Sequence, residues 1–173
     1  MPDQSRIDDL RLRVERDPGS IAFAQLAEEY RRAGQFAEAV QTCRAGLAIH
    51  PEYISARVTL GRALLASGRL EGASAELRLV LAQTPDNVAA LRALADACRG
   101  LGRPQEALTH ARAALHLAAD DPAAERLIMD LEHVVAAADR RAQEASRRRA
   151  ADTVASLERW LEAIDALRAQ RHA

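Results

Sequence analysis

A repeated segment constrains the fold of this chain more than any other feature. Pro51 and Pro85 lie 34 residues apart, and each closes a stretch with the same internal pattern. A third copy of the pattern begins at Val88. A fixed period of this length predicts an array of stacked repeats, because one repeat cannot bury its apolar face alone. The first two copies pair Leu26 with Leu60, Ala27 with Gly61, Gly34 with Gly68, Ala39 with Ala73, and Leu47 with Leu81.

Each repeat is predicted to form two helices with a glycine between them. Glycine suits the tight turn that follows a helix, because it adopts positive φ without strain. A shorter amphipathic helix at 4–16 precedes the repeats and ends before Pro18, since the residue before a proline avoids helical geometry. The predicted pairs are 20–33 and 36–49 around Gly34, 54–67 and 70–83 around Gly68, and 88–101 and 104–118 around Gly102.

The order of residue types within a repeat points to a known family. The first unit has Phe23, Leu26, Ala27, Tyr30, Gly34, Phe36, Ala39, Cys43, Gly46 and Pro51 at ten defined positions. This series of bulky, small, glycine, alanine and proline positions resembles the signature of tetratricopeptide repeats. The second unit departs from it at Arg57, which stands at a bulky position, and the third departs at Ala119, which stands at the proline position.

The resemblance implies an all-α fold, a right-handed superhelical α-solenoid of helix–turn–helix repeats. Such an array needs a cap at each end, because its terminal repeats would otherwise expose apolar faces. The predicted organisation is a half-repeat or capping helix at 1–19, and three repeats within 20–119 (units 20–53, 54–87 and 88–121). A solvation helix at 122–138, an Arg-rich helical connector at 139–151 and an amphipathic helix at 152–173 follow.

The resemblance also implies a concave groove lined by the first helix of each repeat. Chaperone-binding members of the family clamp a terminal carboxylate with Lys and Asn in this row. The matching positions here are Ala24, Glu28, Thr59, Ala89 and Ala93, so the clamp is absent. The groove positions predicted to contact a partner segment are Ala24, Glu28, Arg31, Val58, Arg62, Leu65, Arg92, Asp96 and Arg99.

The tail after the repeats contains a second amphipathic segment. It is too short to be stable as an isolated helix, so its apolar face is expected to pack on something. Trp160, the only tryptophan, lies in the middle of that face, where aromatic residues often dominate an interface. Three surfaces could cover this apolar face: the protein's own repeats, a second copy or partner protein, and a membrane surface. The predicted contact residues are Val154, Leu157, Trp160, Leu161, Ile164 and Leu167.

Composition argues against catalysis and against several classes of ligand. The five histidines lack metal-ligand spacing, and no phosphate loop or nucleophile motif is present, so no enzyme activity, metal or cofactor is expected. The net charge of −1 and the few aromatic residues give no reason to expect nucleic acid. Cys43 and Cys98 stand at apolar repeat positions and are predicted to be buried thiols.

The sequence therefore predicts a non-catalytic adaptor that binds a protein segment in its groove and makes a second contact through its C-terminal helix. Two alternatives remain: a homo-oligomeric scaffold paired through that helix, and a peripheral membrane adaptor in envelope, pilus, motility or secretion assembly. Acidic residues on the polar face of the helix disfavour the membrane. The Arg-only, Ala-rich composition suggests a bacterial origin, and the absence of a signal-like N-terminus suggests a cytoplasmic location.

Overall fold

The computed structural model describes the backbone of residues 4–171 and the side chains of residues 4–164. Over this range the chain is helical and contains no strand. The helices are α1 (Gln4–Arg16), α2 (Ala22–Arg32), α3 (Phe36–Ile49), α4 (Ile54–Ala66), α5 (Leu70–Gln83), α6 (Val88–Gly100), α7 (Pro104–Leu117) and α8 (Pro122–Arg171). The predicted all-α solenoid is confirmed, and the seven helices predicted up to residue 118 lie within two residues of their observed bounds.

Three identical turns set the period of the array. Gly34, Gly68 and Gly102 follow α2, α4 and α6 with φ of 76°, 76° and 70°. In the first turn the amide of Gln35 donates to the Tyr30 carbonyl at 2.9 Å, and the Gly34 amide donates to the Arg31 carbonyl at 3.1 Å. This pair of bonds defines a Schellman motif, which satisfies carbonyls that the helix end would leave unpaired. Glycine is needed at each turn because a side chain at this φ would be strained.

The helices stack in chain order. We call α2, α4 and α6 the A helices, and α3, α5 and α7 the B helices. Each helix from α1 to α6 packs on the next, and in addition α2 packs on α4 and α4 packs on α6. The A helices therefore form a continuous layer, and their exposed side chains share one surface.

Small residues permit the close approach of A and B helices. Ala27 and Ala95 are fully buried at equivalent positions of the first and third repeats. At the same position of the second repeat, a Cβ added to Gly61 would lie 2.6 Å from Cγ of Leu77. The close packing predicted for these small positions is thus present in all three repeats.

Arg57 departs from the repeat pattern and is less buried than its equivalents in the other two repeats. The equivalent residues Phe23 and Leu91 are buried in the core. Arg57 is half-buried, and its guanidinium donates to Glu76 Oε2 at 2.8 Å and to the Pro51 carbonyl at 2.7 Å. An ion pair across the A–B interface of the second repeat therefore replaces an apolar contact.

The core is closed at both ends of the repeats. At the front, Ile7 and Leu10 of α1 form a buried cluster with Leu26 of α2. At the back, the start of α8 buries side chains at one-turn spacing, namely Ala124, Ile128 and Leu131. The chain divides into one compact unit up to Glu132 and a second from His133 onward. No helix in the described part is sufficiently long and apolar to span a bilayer.

Candidate functional site

The A helices enclose a cleft of about 490 Å³, which we call the arginine cleft. Its volume falls within the range of ligand-binding pockets in proteins. Leu65, Ala66 and Ala93 provide its apolar wall, and guanidinium groups from three different helices surround that wall. The lining residues are Arg31 from α2, Arg62, Leu65 and Ala66 from α4, and Ala89, Arg92, Ala93 and Asp96 from α6.

The structure brings together five of the nine predicted groove residues in this cleft: Arg31, Arg62, Leu65, Arg92 and Asp96. Ala24 and Glu28 instead line a neighbouring cleft of about 310 Å³ between α1, α2 and α4. Val58 is only 8% exposed, and the Arg99 side chain is 58% exposed on the surface. Val58 and Arg99 line neither of the two clefts.

Glu28 organises the charges between the two clefts. Its carboxylate accepts two hydrogen bonds from Arg31, at 2.9 and 2.7 Å, and a third from Arg32 at 3.1 Å. Thr59 on α4 donates to the same carboxylate at 3.3 Å. The hydrogen bond from Arg31 is the main cause that lowers the pKa of Glu28 to about 2, although partial burial opposes the shift. Glu28 is therefore ionised at neutral pH and holds Arg31 at the edge of the arginine cleft.

The other arginines of the cleft differ in their partners. Arg92 pairs with Asp121 at 2.6 Å, while Asp96 pairs with Arg99 at 3.2 Å. Among the described residues, none accepts a hydrogen bond or forms an ion pair with the half-buried guanidinium of Arg62. Burial lowers the pKa of Arg62, the positive charge of Arg31 lowers it further, and Glu28 partly offsets both effects.

Two features of the site were not predicted from the sequence. Ala66 lines the cleft, and Asp121 anchors Arg92. For Ala66 a usable signal was its spacing of four residues from Arg62 on α4, because residues four apart are neighbours on a helix. Asp121 gave no such signal, since it reaches Arg92 only through the stacking of the third repeat on the start of α8.

The remaining groups that could bind a metal or react as thiols lie apart from the cleft. No cluster of three or more potential metal ligands occurs among the described residues. Cys43 and Cys98 are free thiols and both are buried, as predicted. Burial is the main cause that raises the pKa of Cys43 to about 12, so this thiol stays protonated at neutral pH.

The C-terminal part of α8 carries an exposed apolar stripe. Trp160 is 71% exposed, and the side chains that share its face are exposed as well. The described members of this stripe are Val154, Leu157, Trp160, Leu161 and Ile164. The side chain of Leu167, the sixth predicted contact residue, lies outside the described residues.

This fold and this cleft define the class of the protein: a helical-repeat solenoid with a groove formed by the first helix of each repeat. Residues 30–95 match the tetratricopeptide repeat family. The prediction that the chain contains tetratricopeptide repeats is therefore confirmed. No curated protein sequence matches the chain.

Solved structures share the same fold at low sequence identity. A crystal structure of MamA has 15% identity, covers 75% of this chain and 77% of its own, and superposes with a TM-score of 0.71. MamA 41-end from Desulfovibrio magneticus has 16% identity, coverage of 84% and 82%, and a TM-score of 0.72. The first TPR of Spaghetti (RPAP3), bound to an HSP90 peptide, has 16% identity, coverage of 69% and 94%, and a TM-score of 0.66. At these identities the likeness establishes the fold alone.

Proposed function

We propose that this protein is a non-catalytic adaptor whose A-helix groove binds a segment of a partner protein. The observation that carries the proposal is the arginine cleft, which combines an apolar wall with cationic side chains from three helices. A groove of this composition suits an extended or helical segment, because apolar pockets supply affinity and charged groups fix register.

The comparison with solved structures supports the mode of binding. The first TPR of RPAP3 was solved with an HSP90 peptide, which demonstrates peptide binding by a domain of the same fold. The ligand itself does not transfer to this chain. Ala24, Glu28, Thr59, Ala89 and Ala93 stand where chaperone-binding repeats carry their carboxylate clamp.

We propose further that the C-terminal part of α8 makes a second contact. An exposed tryptophan among exposed leucines forms an apolar face larger than a single scattered residue would. A large aromatic side chain at the centre of such a face is a frequent hot spot of protein interfaces. The adaptor would thus have two contact surfaces, one in the first compact unit and one in the second.

The groove function can be tested by selecting random short peptides on the full-length protein. Ala89 is exposed at the cleft, so Ala89→Trp should block the cleft without disturbing the core. Ala82→Trp provides a matched control, because Ala82 is exposed on a B helix. We expect selected peptides whose binding weakens at least about tenfold in Ala89→Trp and stays unchanged in Ala82→Trp. If no selected peptide is blocked by Ala89→Trp, the groove does not bind protein segments.

The exposed stripe on α8 also favours a second candidate function, a homo-oligomeric scaffold. Two copies could cover the stripe by pairing their C-terminal helices, because Val154, Leu157, Leu161 and Ile164 follow a heptad pattern. Light scattering separates the two functions. A mass of twice 18.8 kDa that returns to the monomer in a Leu157→Glu, Leu161→Glu variant supports the scaffold. A monomeric mass for the unmodified chain supports the adaptor.

A further inference from the structure

The arginine cleft has an excess of positive charge. Arg31, Arg62 and Arg92 line it, whereas Asp96 is its only acidic lining residue. These three guanidinium groups come from three successive A helices, so the positive charge extends along the groove instead of forming one spot. A groove of this kind attracts a ligand that carries several negative charges.

Among the described residues, Arg62 is the cleft arginine that has no acidic partner within ion-pair distance, whereas Arg31 and Arg92 each have one. Arg31 is held by Glu28, and Arg92 is held by Asp121 at 2.6 Å. Asp96 is engaged by Arg99 at 3.2 Å. Arg62 lies between these pairs, and within the described residues no acidic side chain comes within ion-pair distance of it. A half-buried cation without a direct partner is unfavourable in the free protein, and a bound anion would remove that cost.

The surroundings of Arg62 reinforce this argument. Burial and the nearby charge of Arg31 both lower its pKa, which means that the free cleft disfavours its charged form. Arginine nevertheless remains protonated in proteins, so Arg62 presents a permanent positive charge to the cleft. Glu28 contributes only a partial compensation, because its carboxylate is already bonded to Arg31, Arg32 and Thr59.

We propose that the groove recognises an acidic protein segment, in which an internal Asp or Glu side chain binds Arg62 and neighbouring acidic side chains contact Arg31 and Arg92. This inference rests on the proposed groove function and specifies its ligand. The planar guanidinium and the carboxylate form two parallel hydrogen bonds, which gives the contact both strength and direction. Leu65, Ala66 and Ala93 provide room for apolar side chains between the acidic ones.

The shape and composition of the cleft favour side-chain carboxylates over other anions. A single chain-terminal carboxylate would serve one arginine, whereas cations from three helices line about 490 Å³ of cleft. Nucleic acid is a poorer match, because none of the lining residues is aromatic and Asp96 would repel phosphates. The net charge of −1 adds no long-range attraction to a polyanion.

The test uses the full-length protein and the random-library peptides whose binding Ala89→Trp blocks. Arg62→Gln removes the cleft charge, and Arg44→Gln makes the same change on the exposed surface of α3. We expect these peptides to be enriched in Asp and Glu, and to lose about tenfold or more in affinity with Arg62→Gln but not with Arg44→Gln. Replacing their Asp and Glu by Asn and Gln should cause a similar loss, and added salt should weaken binding.

Five other outcomes would overturn the inference. If the peptides whose binding Ala89→Trp blocks are neutral, or if they bind Arg62→Gln as well as the wild type, the ligand is not acidic. The proposed groove function would still stand. Peptides that lose binding only when their C-terminus is amidated would show that a terminal carboxylate is the ligand. A single-stranded DNA oligonucleotide that binds in an Arg62-dependent manner and displaces the peptides would assign the cleft to nucleic acid. If Ala89→Trp blocks the binding of no peptide, both proposals are wrong: the groove function and the acidic ligand.

Discussion

The carboxylate of Glu28 and the guanidinium of Arg31 form a fork of two hydrogen bonds within α2, from Nε at 2.9 Å and from Nη2 at 2.7 Å. Such paired bonds fix the orientation of an arginine more strictly than one bond can. Because Thr59 of α4 donates to the same carboxylate, Glu28 also ties the first repeat to the second. One acidic residue therefore contributes both to the packing of two repeats and to the position of a groove arginine.

We expect Glu28→Gln to destabilise the protein by about 1 kcal/mol at pH 7, a modest value because water still reaches the carboxylate. The pKa of Glu28 is lowered, chiefly by Arg31, from 4.5 to about 2. A lowered pKa stabilises the folded state above the unfolded-state pKa, and this stabilisation is lost as the pH falls through the folded-state pKa. The difference between the wild type and Glu28→Gln should therefore shrink from about pH 4.5 to about pH 2.

Urea unfolding of both proteins across this pH range measures the effect. The other carboxyl groups are common to the two proteins, so their titration cancels in the difference. A difference in unfolding free energy that stays constant down to pH 2 would mean that Glu28 is not the titrating group.

Alanine substitutions at two helical glycines should have opposite effects on the stability of the protein. In Gly46→Ala the new Cβ would overlap the ring of Phe23, which is buried at the A–B interface of the first repeat. We expect the free energy of unfolding to fall by about 1–3 kcal/mol, because overpacking displaces core side chains. In Gly72→Ala the new Cβ would meet only an ordinary contact, 3.6 Å from Leu64 Cδ1. For Gly72→Ala we expect the free energy of unfolding to rise by about 0.5–1 kcal/mol, since alanine has a higher helix propensity than glycine.

Thermal unfolding followed by circular dichroism compares the two variants with the wild type. Both substitutions add one methyl group to a B helix, so each serves as the control for the other. Equal effects in the two variants would contradict the close approach of Phe23 to Gly46.

The repeats could be predicted from the sequence because their signals are local. The turn glycines recur at a fixed spacing and take up the positive φ that only glycine adopts readily. The groove could be predicted only in part, because its position follows from the repeat whereas its charge depends on pairing between helices. Nothing in the sequence around Arg92 indicated that Asp121 would pair with it. The sequence likewise did not indicate that Val58 would be only 8% exposed, since neighbouring helices, and not its position on α4 alone, decide how much of its side chain is covered.

Arg57 provides a test of whether the second repeat depends on its ion pair. Nε of Arg57 is buried without a hydrogen-bond partner among the described residues, while the rest of the guanidinium binds Glu76 and the Pro51 carbonyl. Arg57→Met restores a bulky apolar residue but leaves the Glu76 carboxylate without its partner. We expect a loss of about 1–2 kcal/mol, because an unpaired and partly buried charge is costly.

Adding Glu76→Gln should recover most of that loss, because the double variant no longer carries the unpaired charge. Chemical unfolding of the two single variants and the double variant forms a double-mutant cycle, which isolates the coupling between the two residues. A double variant that loses the sum of the two single effects would show that Arg57 and Glu76 act independently.

Trp160 reports directly on what binds the C-terminal stripe. It is the only tryptophan and is 71% exposed, so the emission of the free protein should be that of a solvated indole. Vesicles that contain anionic lipid should leave this emission unchanged, because Glu158 and Glu162 lie on the same helix and interfacial helices favour basic polar faces.

Raising the protein concentration should shift the emission to the blue if copies pair through the stripe, and Leu157→Glu with Leu161→Glu should abolish that shift. A blue shift on vesicles at a fixed, low protein concentration would instead place the stripe at a membrane surface, and the same double variant should then prevent it.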